Sequence, residues 1–399
     1  MLLNRERAYA VMDKHGLDVL VASTEGNVAY TTDYWPLGTF RPMGHQSFCI
    51  LPRDEKKEPA IVMPISDLAA WVTKKSWVQE IWSYGTYHVE GFEQLHGHEK
   101  KFKEVETRLI SSRLCYPSSL EALIAALRHK SFAGASIGLD EMNIPVQHIE
   151  ALKTKLDRAK ISYAYEIFRE IRMIKTPEEI ARIHRSTQVA ERAVEDVWSS
   201  ARVGMTEIQL AGICRSSISR QGGVPALWFV GCGTLSSLTD RDPTDYALRP
   251  GDWIMLDVFS SVEHYYSDTA RSVVLGDPSP RQVKYYEAIL KGRNEALKLI
   301  KPGVKASEIY RAAIGAIRDN GIPHFRRHHI GHSTGIEPYD PPLINADTDL
   351  PLEENMVVII ETPYYEVGFG AIQLEDTVLV TSDGFRYLSA LPQELQVIG

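Results

Sequence analysis

The stretch WIMLDVFSSVEHYYSDTARSVVL, residues 253–275, decides the fold of the second half of the chain. Its pattern predicts two strands that form a hairpin. Each strand carries one aspartate, Asp257 and Asp268. If the hairpin is centred between Val262 and Glu263, the two aspartates lie directly opposite each other on one face, with Cβ atoms about 4.5–5.5 Å apart. Facing carboxylates repel each other, so the pair predicts a cation between them.

A second pair of acids follows the same pattern. In MVVIIETPYYEVGFGAIQLEDTVLV, residues 356–380, Glu361 ends an apolar run and Glu375 lies in an alternating one. Gly368 lies midway between them, as the glycine of a turn or bulge does. The two glutamates are therefore expected to meet across a second hairpin.

The segment GHSTGIEPYDPP, residues 331–342, supplies an imidazole. Small residues surround His332, so another group can approach it closely. Two aspartates, two glutamates and one histidine form an oxygen-rich ligand set that suits Mn, Fe, Co or Zn. Such a set can hold two divalent metal ions roughly 3.5–4 Å apart, and the chemistry of that centre is hydrolysis. Any one of these acids could be an ordinary strand residue, but the five together favour a metal site.

The rest of the chain predicts two domains of different class. In residues 1–165, helical and strand patterns alternate, which favours an α/β domain. Residues 166–399 open with a helix that Thr176 and Pro177 introduce, and they continue with hairpins and outer helices, which favours an α+β domain. The aromatic loop at 33–46 is a candidate dimer contact or active-site cover, with ordinary loop packing as the alternative.

Length and composition limit the class of protein. The 399 residues exceed one ordinary domain, and the net charge of −8 gives no basic field for nucleic acid or an anionic membrane. The four cysteines form no CxxC pair, and neither a signal peptide nor an apolar span long enough for a bilayer is visible. We therefore expect a cytoplasmic protein that binds neither nucleic acid nor a membrane.

Taken in order, these motifs resemble the metal-binding segments of the prolidase/aminopeptidase P/creatinase superfamily. The segments that carry the resemblance are LDVFSSVEHYYSDTARSVVLG, HHIGHSTGIEPYDPP, IIETPYY and IQLEDTVLVTSDG. They cover about residues 165–390 strongly, and the earlier part resembles the family only weakly. The resemblance implies a creatinase-type N-terminal domain, a pita-bread catalytic domain and a homodimer.

The resemblance also implies roles for individual residues. The metal ligands that it implies are Asp257, Asp268, His332, Glu361 and Glu375. Glu361 would also act as the general base, and His328 would contact the substrate or the tetrahedral intermediate. All five ligands are kept, unlike in creatinase itself, so a metalloenzyme is expected.

The chain departs from the proline-specific members at three positions that handle protons or contact the substrate. Tyr339 and Asp240 stand where those members have histidines, and Gln373 stands where an arginine is often found. Tyr339 could donate a hydrogen bond to an oxyanion. Asp240 could bind a cationic substrate group, and His264 could replace a lost imidazole. Tyr339 is therefore a candidate catalytic residue beside Glu361 and His328, and Asp240, His264 and Gln373 are the candidate contacts to the substrate.

Three hypotheses follow. The leading one is a dinuclear metallohydrolase that cleaves a C–N bond in a small peptide or amide, with an X-Pro dipeptide as the default substrate by resemblance. The second keeps the fold and the metal but assigns a non-peptidase reaction, that of an amidinohydrolase, a hydrolase of compatible solutes or a lyase. The third is a catalytically silent binding module, against which the retention of all five ligands argues.

Overall fold

The computed structural model describes residues 1–37, 46–74, 76–111 and 115–399. The chain divides into two compact units, Met1–Arg172 and Met173–Gly399. The predicted boundary at 165/166 falls at the start of the last helix of the first unit, and the observed division follows that helix. Most of the loop proposed as a dimer contact or cover lies outside the described residues.

The first unit is an α/β domain, as the sequence predicts. Its helices and strands are α1 (Arg5–His15), β1 (Val19–Ala22), α2 (Glu25–Thr32), β2 (Phe48–Pro52), β3 (Ala60–Pro64), α3 (Leu68–Lys74), β4 (Glu80–Tyr84), α4 (Lys103–Ser111), α5 (Ser119–His129), β5 (Ser136–Leu139), α6 (Val146–Lys155), β6 (Lys160–Tyr163) and α7 (Tyr165–Arg172). The strands form one mixed sheet in the order β4-β3-β2-β1-β5-β6. Val19 and Val21 of β1 share its apolar core with Leu123 and Leu127 of α5.

The second unit is an α+β domain. Its helices and strands are α8 (Pro177–Ser200), α9 (Glu207–Arg220), β7 (Val224–Cys232), β8 (Trp253–Val262), β9 (Tyr265–Leu275), α10 (Pro280–Lys298), α11 (Ala306–Asp319), β10 (Gly331–Ser333), β11 (Val357–Glu361), β12 (Tyr364–Glu366), β13 (Gly370–Ile372), β14 (Glu375–Val380), β15 (Phe385–Tyr387) and β16 (Val397–Ile398). Two four-stranded sheets result, β16-β9-β8-β7 and β10-β11-β14-β15, with β12 and β13 paired separately.

Each four-stranded sheet of the second unit is covered by a pair of helices. Residues of α8 and α9 share a core with β7, β8 and β9, and residues of α10 and α11 share another with β11 and β14. The first pair begins at a capping box, in which Thr176 accepts from the backbone of Glu179 and Glu179 accepts in return. Two similar α+β halves are the arrangement expected of a pita-bread domain.

The register of the β8–β9 hairpin differs from the prediction. Asp257 pairs with Ala270 and Phe259 pairs with Asp268, so the two aspartates are diagonal neighbours and not directly opposite. The reason is the turn, whose two central residues both have positive φ (Glu263 +49° and His264 +69°), as type I′ turns have. The hairpin centre therefore lies one residue later than predicted, and the two-residue offset keeps both carboxylates on one face.

The pairing of the two glutamates is as predicted. In the β11–β14 pair, Glu361 lies directly opposite Glu375. Gly368, with φ of +88°, lies in the turn between β12 and β13. Within the described residues, no helix combines the length and the apolar character needed to cross a membrane.

Candidate metal centre

Three side chains from three strands converge in the second unit. Asp268 on β9, His332 on β10 and Glu375 on β14 each offer one ligand atom, and these atoms lie within 4.8 Å of one another. All three side chains are buried. A backbone bridge between Arg271 and Leu374 joins β9 to the residue before β14, which brings the two sheets together at this point.

The backbone holds His332 in one orientation. Its strand pairs with β11, where His332 faces Ile359. Its Nδ1 lies 2.9 Å from the carbonyl oxygen of Ser333, and because a carbonyl only accepts, Nδ1 carries the proton. Nε2 is then the free lone pair, 3.2 Å from Oδ2 of Asp268. Burial lowers the pKa of His332, which favours the neutral form that binds metals.

Asp257 is oriented by a chain of hydrogen bonds. Nε2 of Gln373 donates to Oδ2 of Asp257 at 2.9 Å, and the hydroxyl of Tyr365 donates to Oε1 of Gln373 at 2.9 Å. In the described part of the chain, Oδ1 of Asp257 has no hydrogen-bond partner. Gln373, predicted as a substrate contact, therefore lies directly against one of the carboxylates.

Glu361 is the acid that lies beside His329. Nδ1 of His329 lies 3.1 Å from Oε1 of Glu361, and both side chains are buried. Burial raises the pKa of Glu361, but His329 and His332 outweigh that effect and hold the pKa below its ordinary value. Glu361 is therefore the acid of this group that stays ionised most readily.

The other three acids are perturbed in the opposite direction. Burial, together with the charge of neighbouring carboxylates, raises the pKa of Asp257, Asp268 and Glu375. So much negative charge in one buried place is unfavourable unless protons or cations compensate it.

The five predicted ligands share one further property. Among the residues that the structure describes, each has a buried ligand atom that forms no hydrogen bond: Oδ1 of Asp257, Oδ1 of Asp268, Nε2 of His332, Oε1 of Glu361 and Oε2 of Glu375. Buried polar atoms without a partner are uncommon in native proteins and call for an explanation. Carboxylate oxygens and one neutral imidazole nitrogen are a donor set that fits divalent first-row metal ions.

Tyr339 contacts a candidate ligand directly, whereas His328 contacts His329. The ring of Tyr339 stacks on that of His332, with centroids 3.7 Å apart and planes at 18°. Burial and the nearby carboxylates raise the pKa of Tyr339, which keeps its hydroxyl protonated. His328 is exposed, and its ring meets that of His329 edge-on at 4.2 Å.

The structure does not bring Asp240 and His264 into the cluster. Asp240 is exposed, and among the described residues it forms no hydrogen bond or ion pair with the carboxylates. His264 occupies the turn of the β8–β9 hairpin. Three residues lie between it and Asp268, which places the two roughly 13 Å apart along the strand.

Two residues at the centre were not predicted from the sequence. His329 contacts Glu361, whereas the resemblance singled out its neighbour His328. Tyr365 reaches the centre through Gln373. Adjacent histidines alone cannot show which of them faces a site, and tyrosine carries no pattern of its own in the sequence TPYYE. The only indication in the sequence was closeness to a candidate ligand. His329 lies three residues before His332, and Tyr365 lies four residues after Glu361.

Comparisons with known proteins agree with this architecture. Residues 181–382 match metallopeptidase family M24, and residues 5–174 match the creatinase/prolidase N-terminal domain. The Xaa-Pro dipeptidase of Pyrococcus horikoshii is 28% identical over 65% of this chain and 74% of its own length. That of Lactobacillus helveticus is 29% identical over 65% of this chain and 72% of its own. The crystal structure of the prolidase from Pyrococcus horikoshii OT3 has a TM-score of 0.78 and 22% identity, covering 98% of this chain and 99% of that one, and therefore shares the fold.

Proposed function

Since this chain belongs to metallopeptidase family M24 and is a metal-dependent hydrolase, we propose that its substrate is a dipeptide with proline as the second residue. The reaction is hydrolysis of the peptide bond before that proline. Similarity to two Xaa-Pro dipeptidases supports this choice.

The observation that carries the proposal is the set of five buried ligand atoms that have no hydrogen-bond partner within the described ranges. We propose that Asp257, Asp268, His332, Glu361 and Glu375 hold two divalent ions, with Mn, Co, Zn or Fe as the candidates. Ions bound there would supply a Lewis acid for the substrate carbonyl and would lower the pKa of water.

The protein side chains then have separate tasks. Glu361 accepts the proton of the attacking water and passes it to the leaving nitrogen, and its contact with His329 keeps it ionised for the first of these steps. The protonated hydroxyl of Tyr339 and the imidazole of His328 donate to the oxyanion that develops on the carbonyl. The stacking of Tyr339 on His332 supports this role, because it keeps the phenol close to the ligands.

The test combines metal analysis with turnover. We expect purified protein to contain divalent metal and, with added Mn or Co, to cleave members of a panel of Xaa-Pro dipeptides. Glu375→Gln removes one ligand charge and should lower both the metal content and the turnover. Glu354→Gln makes the same chemical change at an exposed position and should affect neither. Metal-loaded protein that cleaves no Xaa-Pro dipeptide would refute the proposed substrate.

A second candidate function is favoured by the departures from the proline-specific pattern. Tyr339, Asp240 and Gln373 replace two histidines and an arginine, and Asp240 lies away from the cluster in an exposed loop. We therefore propose hydrolysis of a small non-peptide amide as the alternative. Cleavage of cyclic or acylated small amides, without cleavage of Xaa-Pro dipeptides, would favour it.

We also propose that the protein is a cytoplasmic homodimer. The four cysteines, Cys49, Cys115, Cys214 and Cys232, are free thiols, as is usual in a reducing compartment. The dimer follows from the resemblance alone. Light scattering during size-exclusion chromatography measures the mass directly, and a monomeric mass would contradict the dimer.

A further inference from the structure

Two buried acids and one lysine form a cluster beside the loop that carries Tyr339. Nζ of Lys175 lies 3.1 Å from Oδ2 of Asp340, and both side chains are fully buried. Glu179, four residues after Lys175, is fully buried as well. Lys175 is close enough to Glu179 to lower the pKa of that carboxyl, and Asp340 is close enough to raise it. The cluster therefore places two acids around one lysine.

The carboxyl of Glu179 is held from two sides. Its Oε2 accepts from the backbone nitrogen of Thr176 at 2.8 Å, which is one half of the capping box of α8. Its Oε1 accepts from the hydroxyl of Tyr265 on β9 at 3.2 Å, and the guanidinium of Arg182 lies over the ring of that tyrosine, 5.6 Å from its centroid. The groups that act on Glu179 thus come from the start of α8, from β9 and from the loop of Asp340.

Glu179 changes its charge near neutral pH. Burial raises its pKa to about 7, against the opposing effects of Lys175 and of the two hydrogen-bond donors. Below this pH the carboxyl of Glu179 is protonated and neutral, and Lys175 compensates the charge of Asp340. Above it, two carboxylates share Lys175 and repel each other, which is unfavourable in a buried place. The carboxylate that is held less firmly is then expected to move.

Asp340 is the acid that is free to move, because it lies in the loop between β10 and β11 and not at a capped helix start. Its backbone exchanges two hydrogen bonds with Ser333, of 3.1 and 3.0 Å. Ser333 follows His332, and Asp340 follows Tyr339. The rings of His332 and Tyr339 stack with centroids 3.7 Å apart. A displacement of Asp340 would therefore shift one stacked ring relative to the other.

We infer that Glu179 is a positioning residue for Tyr339, and that its proton decides whether Lys175 holds Asp340. With the proton in place, the pair of Lys175 and Asp340 is intact and the phenol of Tyr339 is fixed beside the candidate ligands. Without the proton, Lys175 is drawn toward Glu179 and the phenol loses its fixed position. The effect on turnover rests on the proposed function, in which Tyr339 donates to the oxyanion.

The first test follows Tyr339 without turnover. Zinc-loaded protein is labelled with 3-fluorotyrosine, and the Tyr339 signal in the fluorine NMR spectrum is the one missing from Tyr339→Phe. In wild type this signal should shift between pH 6 and 8, because a ring that leaves the stack experiences a different ring current. Glu179→Gln, whose amide oxygen can still accept from Thr176, should remove the shift. Glu178→Gln makes the same change in a more exposed neighbour and should keep it.

A second variant tests whether Glu179 is the group that titrates. Tyr265→Phe removes a hydroxyl that donates to the carboxyl of Glu179, so the pH midpoint of the Tyr339 shift should rise by about one unit. Melting temperatures show that the variants are folded. An unchanged midpoint in Tyr265→Phe, or equal pH dependence of the signal in wild type and Glu179→Gln, would overturn the inference.

The last test measures turnover of alanyl-proline by metal-loaded protein. The ratio of kcat/KM in wild type to that in Glu179→Gln should fall roughly 3- to 30-fold between pH 6 and 8, mainly through kcat, and Glu178→Gln should follow wild type.

The two readouts separate this inference from the proposed function. A Tyr339 signal that depends on Glu179, in a protein that cleaves no dipeptide, would support the inference and refute the proposed substrate. The same signal with a constant kcat/KM ratio would support the positioning and refute the role of Tyr339 in turnover. Cleavage with a constant ratio and a signal that does not depend on Glu179 would overturn the inference and leave the proposed substrate intact.

Discussion

Neighbouring groups determine the charge of each buried carboxyl in the second unit. Glu361 lies against His329 and has a lowered pKa. Glu179 is also buried, and it accepts from the backbone nitrogen of Thr176 at 2.8 Å and from the hydroxyl of Tyr265 at 3.2 Å. Burial outweighs these donors and the charge of Lys175, and it raises the pKa of Glu179 to about 7.

The raised pKa of Glu179 predicts a pH dependence of stability. Between the ordinary glutamate pKa and about 7, the folded state keeps a proton that the unfolded state has lost, so the free energy of unfolding falls as pH rises through this window. Glu179→Gln is neutral throughout and should lack this fall, which is on the order of 1–3 kcal/mol. Urea denaturation at several pH values from 5 to 8 measures the difference.

The neighbouring acid provides the control for this experiment. Glu178 is more exposed, and its contact with Arg182 lowers its pKa. Glu178→Gln should therefore show no pH-dependent difference from wild type above pH 5. Equal pH profiles for wild type and Glu179→Gln would contradict the prediction.

The sequence identified the residues of the candidate site better than it identified their contacts. The aspartates and glutamates stand out because charged residues interrupt apolar strands, and this is visible without coordinates. The choice between His328 and His329 is not visible in the same way. Both lie in the segment before the short strand β10, and only packing against β11 places His329 on Glu361.

At the scale of elements, one glycine allows β10 to pair with β11. Gly331 has φ of +147°, and a Cβ at this position would lie 2.0 Å from the carbonyl oxygen of Ile359. The strand could not approach so closely with any other residue. Because His332 follows directly, its position depends on this contact.

Gly331→Ala should therefore both destabilise the protein and weaken the metal site. We expect a loss of more than about 2 kcal/mol in the free energy of unfolding and a lower metal content. Gly315→Ala is the matched control, because a Cβ added at this position in α11 would meet no described neighbour outside its own helix turn within 4 Å, and it should stabilise by about 0.5–1 kcal/mol. If Gly331→Ala kept the stability and the metal content of wild type, the prediction would be wrong, because the backbone could then move to accommodate the Cβ at little cost.

The loop that carries Tyr339 is fixed by a buried ion pair. Nζ of Lys175 lies 3.1 Å from Oδ2 of Asp340, and both side chains are fully buried. Gly335 makes room for this pair, since a Cβ there would lie 2.8 Å from each of the two charged groups. Asp340 is adjacent to Tyr339, so the pair positions the ring that stacks on His332.

Lys175→Met should remove the positive charge that the buried carboxylate of Asp340 contacts. The expected cost is about 3–5 kcal/mol of stability, together with a loss of turnover as Tyr339 loses its fixed position. Lys305→Met removes a lysine whose pair with Asp349 is exposed, and it should cost less than about 1 kcal/mol. Urea denaturation measures the loss of stability in both variants, and steady-state kinetics measures their turnover. Equal losses in the two variants would contradict the prediction that the buried pair contributes more than the exposed one.

At the scale of the second unit, one carboxylate joins elements that are distant in sequence. Asp376 on β14 accepts from Arg271 on β9 at 2.6 Å and from Arg293 on α10, and all three side chains are buried. Arg271 also donates to the carbonyl of Glu375. The network therefore holds the backbone of Glu375, a candidate metal ligand, in place.

Asp376→Asn should be among the most damaging single substitutions outside the candidate site. It removes the carboxylate charge that two buried guanidinium groups contact, at a cost of about 3–5 kcal/mol, and it loosens Arg271, which donates to the backbone of Glu375. We expect a large decrease in the denaturation midpoint and weaker metal binding. Asp383→Asn, in an exposed turn, should change neither. A stable Asp376→Asn protein with normal metal content would show that the network is not required.

The sequence by itself determined the class of each domain, the opposed pair of glutamates and the identity of five candidate ligands, because strand alternation and hairpin pairing are local properties of the chain. Only the tertiary structure decided the register of the aspartates, the contact of His329 with Glu361, and the link from Tyr365 through Gln373 to Asp257. These features depend on how segments far apart in sequence pack together, and on turn and side-chain geometry that residue type alone does not fix.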